Sequence, residues 1–117
     1  MVISGTMICE AIIMQCYAIK TQQVETDIAV YRDYDWDKFS TLNVEEKIAN
    51  YLKISKMLLI CRTSRHFYLK KMANHLNDDR FERRRKHFGR KILQLGELIE
   101  ILECVVNQME LQIVLLE

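Results

Sequence analysis

The feature that most constrains this chain is one uninterrupted apolar seam toward its C-terminus: Phe88, Ile92, Leu95, Ile99, Leu102, Val106, Met109, Ile113 and Leu116. The intervals alternate between four and three residues from end to end. Apolar side chains at that spacing fall on one stripe of an α-helix, the repeat of a coiled coil. In a strand the same residues would divide between opposite faces. Leu98, Ile101, Val105 and Leu115 widen the stripe. A widened stripe packs against more than one neighbour.

The rest of the chain reads as helix as well. It has no proline and three glycines in 117 residues, too few for the turns of an all-β fold. Half of its residues are hydrophobic, which excludes intrinsic disorder and fits one globular domain. A first helix is predicted over about 7–32, with Thr6 as N-cap. Its first half is apolar on nearly every face, and its second half narrows to Tyr17, Thr21, Val24, Ile28 and Tyr31. A break follows at 33–40, rich in aspartate, a residue that favours caps and turns over helix interiors. Asn43 and Glu46 have the spacing of a capping box. A second helix is therefore predicted over about 44–76, with Ile48, Leu52, Leu58, Leu59, Phe67, Leu69 and Met72 as its apolar residues. Asp79 and Glu82 repeat the capping spacing after Asn77 and Asp78, and a third helix is predicted over about 80–116.

The predicted fold is all-α: a single helical-bundle domain, 1–117, of three long helices in an antiparallel, coiled-coil-like arrangement. The short second break makes the last two helices antiparallel neighbours. At about 1.5 Å per residue the last helix reaches about 55 Å and the first only about 39 Å. A lone bundle of those lengths leaves part of the seam uncovered, so the sequence predicts a dimer or docking onto another helical chain. The expected partner-binding residues are Ile99, Leu102, Val106, Met109, Ile113 and Leu116. The expected function is a non-enzymatic interaction or oligomerisation module.

Charge supplies the alternative. The net charge is +1, yet residues 62–91 hold eleven Lys and Arg against three acids, while 92–117 hold five acids and no base. An antiparallel hairpin gathers Arg62, Arg65, Lys70, Lys71, Arg80, Arg83, Arg84, Arg85, Lys86, Arg90 and Lys91 into one positive tip. Such a tip could bind nucleic acid, an acidic protein segment or the acidic C-terminus of a second copy. The run Arg83–Lys86 also has the composition of a nuclear localisation signal.

Other chemistry finds little support. Asp33, Asp35 and Asp37 match the first ligand positions of a calcium loop, but Lys38 stands at the glycine position and Val44 where a bidentate glutamate belongs. The aromatic residues between them, Tyr31, Tyr34, Trp36 and Phe39, are read as covering one end of the core or meeting a partner. His66, His75 and His87 have neither helical zinc spacing nor a suitably spaced cysteine. Cys9, Cys16, Cys61 and Cys104 sit in apolar runs and read as reduced core residues of an intracellular protein, cytoplasmic or nuclear. Gly89 and Gly96 share a helix face, which fits either close approach of another helix or simple tolerance. Residues 7–19 lack the basic flank of a signal peptide and are too short to span a bilayer. No nucleophile elbow, phosphate loop or dinucleotide motif is present, so no cofactor or metal is expected.

Overall fold

In the computed structural model the described residues are 21–74 and 82–115. They form four helices: α1 (Thr21–Arg32), α2 (Trp36–Thr41), α3 (Val44–Asn74) and α4 (Glu82–Leu115). There is no strand among the described residues. The expected caps Thr6 and Asp79, and the site residues Arg80 and Leu116, lie outside them.

The ends of the helices follow from local chemistry. Asn43 begins α3 as the capping spacing predicts: its Oδ1 accepts the Glu46 backbone N–H at 2.8 Å. Its Nδ2 donates to Glu46 Oε1 at 2.6 Å, closing the box. The first break differs from its prediction, because it contains a helix of its own. Asp35 caps α2, its Oδ1 accepting from Lys38 N at 3.0 Å. Trp36 and Phe39, three residues apart, then fall on one face of that turn and join the core. The rings of Tyr34, Trp36 and Phe39 meet edge to face, with centroids 4.8 to 6.3 Å apart. Apolar burial of these rings adds about 1.5 kcal/mol or more per residue. That outweighs the turn preference of the surrounding aspartates.

α4 is the central element, and both α1 and α3 pack on it. On one edge, Gln94 Nε2 donates to Glu25 Oε1 at 3.4 Å and Arg32 pairs with Glu97, tying α1 to α4. On the other, Arg62 pairs with Glu103 at 2.8 Å and the Tyr51 hydroxyl donates to Glu110 at 3.0 Å. The partner numbers fall along α4 as they rise along α3, so the two helices are antiparallel. Between the edges lies one core: Val24 and Ile28 from α1, Phe39 from α2, Ile54, Leu58, Cys61 and Tyr68 from α3, and Leu95, Leu98, Ile99, Leu102, Val105 and Met109 from α4. The molecule is long and thin, 55 × 41 × 19 Å.

Candidate functional site

The seam of α4 is the first candidate, and the chain's own core covers its middle. Leu102 and Met109 are fully buried and Ile99 is 2% exposed, all inside the chain's own core. Val106 and Ile113 are half-buried. The length comparison set one helix against one neighbour, and it is the far end of α4 that stays open, with Leu115 81% exposed. Two helices share the α4 face, one on each edge, and the width of the stripe reflects that. Leu98 and Val105, on the flank of the stripe, are buried accordingly.

The large apolar residues left outside lie on three helices, Val30 of α1 among them. Val44, Ile48, Leu52, Leu59 and Leu69 are exposed on α3, and Leu93, Leu111, Val114 and Leu115 on α4. On α3, Ile48, Leu52, Ser55, Leu59, Arg62, His66 and Leu69 repeat at intervals of four and three. This is a second heptad row, about 120° around the helix from the buried residues Ile54, Cys61 and Tyr68. The sequence marked Ile48, Leu52, Leu59 and Leu69 as apolar residues of this helix without dividing them from the buried ones. Their spacing alone was the signal that they form a separate face.

The basic tip is the second candidate. The rings of Tyr68 and Phe88 meet at a tilt with centroids 5.7 Å apart, which brings the end of α3 level with the start of α4. Lys70, Arg83, Arg84, Lys86 and Arg90 are exposed there, and Arg65, Lys71 and Arg85 half-buried. Lys86 pairs with Glu82 at 3.7 Å, and Lys71 Nζ stands 5.6 Å from the centre of the Phe67 ring. Two residues of the predicted set stand apart. Arg62 is drawn along α3 to Glu103. Lys91 is buried, and removal from water pushes its ammonium below the ordinary 10.5. Lys91 borders a cleft of about 330 Å³ with His87, Arg90, Gln94 and Glu25.

The remaining features are structural where they are described. Asp35 of the acidic break is engaged as a cap, and among the described residues no group of three or more His, Cys, Asp or Glu could hold a metal ion. Cys61 is a buried core residue as expected, whereas Cys104 is exposed, against its expected place in the core; neither is in a disulfide. Burial raises the Tyr31 and Tyr34 hydroxyls above their ordinary 10.0, and the hydrogen bond to Glu110 raises that of Tyr51. A cleft of about 380 Å³ separates α1 from α3, lined by Asp27, Tyr31, Lys53, Met57 and Ile60 with Leu98 as its floor. Among the described residues a Cβ on Gly89 would meet nothing within 4 Å, and one on Gly96 only the Arg65 guanidinium at 4.0 Å, so no described helix approaches either closely. Among the described residues no helix is long and apolar enough to cross a membrane.

Comparison with protein-family models, with curated proteins and with solved structures finds no match to this chain.

Proposed function

We propose that this chain is a non-enzymatic helical interaction module that self-associates, with the outer row of α3 meeting the same row of a second copy. The observation that carries the reading is the heptad spacing of exposed Ile48, Leu52, Leu59 and Leu69. A helix that has already buried one apolar face gains nothing in water from a second, unless a partner covers it.

Charge selects the orientation. The row begins beside exposed Glu45 and ends beside exposed His66 and Lys70. A parallel copy sets like charges together, whereas an antiparallel copy sets Glu45 toward Lys70. Helix dipoles favour the same arrangement. Ser55, Arg62 and His66 interrupt the apolar row, which fits a reversible dimer better than an obligate one.

Sedimentation equilibrium tests the reading. The wild-type chain should show a concentration-dependent monomer–dimer equilibrium. Leu52→Glu with Leu59→Glu should abolish it while leaving helical content and cooperative unfolding intact, since both residues are more than half exposed. A wild-type chain that stays monomeric at the highest concentration it tolerates would sink the proposal.

A further inference from the structure

We infer that the basic end of the α3–α4 hairpin binds nucleic acid through its phosphodiester backbone, without regard to base sequence. The first observation is a count that no local pairing can change. Residues 62–91 hold eleven Lys and Arg, nine of them besides the Glu103-paired Arg62 and the buried Lys91, but only Asp78, Asp79 and Glu82 as acids. The acids elsewhere on α4 do not reach this end, although Glu25 of α1 lines a cleft there with His87, Arg90 and Lys91. Glu97 pairs with Arg32, Glu103 with Arg62, and Glu110 accepts from Tyr51, each on the body of the bundle. The acidic C-terminal part of a second copy is thereby a poor counter-charge, because most of it is engaged at home. A large positive excess remains at one end of the molecule, and the antiparallel pairing of Tyr68 with Phe88 concentrates it.

The second observation concerns the arrangement of the charge. Arg83, Arg84, Arg85 and Lys86 are consecutive on α4. Successive helical residues are about 100° apart, so these four surround the helix instead of forming one stripe. A partner helix reads a stripe, whereas a polyanion that can follow a curved surface reads a charged end. Seven of the eleven bases are arginine, whose planar fork matches phosphate oxygens in pairs. The third observation limits what is read. Recognition of bases in a single strand needs aromatic faces open for stacking. Here Phe67 lies against Tyr68 at 5.8 Å and Tyr68 against Phe88 at 5.7 Å, so these rings are engaged with one another. What remains is charge, which favours the denser phosphate array of a duplex. Along α4 the residues 82–91 cover about 15 Å at about 1.5 Å per residue. Along each strand a duplex presents a phosphate for about every 3.4 Å of its axis, so about five fall within that length. One face of the hairpin end can therefore neutralise about five phosphates by this spacing.

The test is fluorescence anisotropy with a labelled DNA duplex of mixed sequence, a scrambled duplex and the corresponding single strand. About five phosphate contacts predict a log–log salt slope near −4.5, a loss of affinity of roughly 500-fold for a fourfold rise in salt. Both duplexes should bind alike and the single strand more weakly. Neutralising Lys70, Arg83 and Arg90 (Lys70→Gln, Arg83→Gln, Arg90→Gln) should reduce the slope by about 2.7. Lys53→Gln with Lys56→Gln, on the body of α3, should leave it unchanged. The dimer-breaking Leu52→Glu, Leu59→Glu chain should keep the slope, which separates this inference from the self-association proposed above. No binding at low salt, an equal loss with the Lys53 and Lys56 variant, or displacement by polyglutamate as readily as by a duplex of equal charge would each overturn it.

Discussion

Truncating Leu102 to alanine tests whether the α4 seam is the interior of one chain. Leu102 is fully buried, in the one core that also holds Val24 and Ile28 of α1 and Ile54 and Leu58 of α3. Losing three carbons removes about 2.5 kcal/mol of transfer free energy at about 0.8 kcal/mol per methylene. A residual cavity of about 50 Å³ adds about 1.2 kcal/mol at about 24 cal/mol per Å³. Leu102→Ala should therefore cost about 3.5 kcal/mol. Leu111→Ala, at a position 63% exposed, should cost less than about 0.5 kcal/mol. The assay is urea unfolding followed by far-ultraviolet circular dichroism at two well-separated protein concentrations. It is run in the Leu52→Glu, Leu59→Glu background, so that association through α3 does not contribute. In that background the midpoint should not depend on concentration, and Leu102→Ala should shift it equally at both. A midpoint that rises with concentration, and loses that dependence in Leu102→Ala, would place Leu102 between subunits and refute the reasoning. A cost below about 1 kcal/mol would refute the core assignment itself.

Lys91→Met should stabilise the chain at neutral pH, because the ammonium is buried and its pKa lies below the ordinary 10.5. The unfolded chain holds that proton longer than the folded one, so wild-type stability should climb as pH rises through the window beneath 10.5. Unfolding midpoints measured across that range check the sign; a gap between wild type and variant that fails to narrow would contradict it. Gly89→Ala should stabilise by about 0.8 kcal/mol, since helix propensity improves and the added methyl meets no atom within 4 Å; thermal melts read it directly. Asn43→Ala should cost about 1 kcal/mol by removing the α3 cap, whereas Asn43→Asp should retain most of it.

The seam, the capping box at Asn43 and the antiparallel pairing of the last two helices were legible in the sequence because each rests on local spacing. Periodicity states which residues share a face, but not which face turns inward. α3 carries two apolar faces: Ile54, Leu58 and Cys61 went inside, and Ile48, Leu52 and Leu59 outside. Only the position of α4 decides between them. The helix α2 was missed for a related reason. Six residues hold too few hydrogen bonds to form a helix by propensity, and what fixes it is the burial of Phe39 beside Lys47, whose Nζ lies 5.8 Å from the ring centre. The excess of basic residues was plain in the composition. That Arg62 leaves the group for Glu103, and that Lys91 turns inward, depended on tertiary contacts.

Closing the hairpin has a consequence for the thermodynamics of the whole chain. Folding crowds a positive excess at one pole that the extended chain keeps apart, so the native state stores repulsion the denatured ensemble lacks. Mobile ions screen that repulsion over about 10 Å at about 0.1 M. Added electrolyte should therefore raise the melting temperature of this protein even though its net charge is only +1. A multivalent anion that binds only the folded pole acts further, by mass action, and the fraction of molecules folded then becomes a gauge of how much of that anion surrounds them.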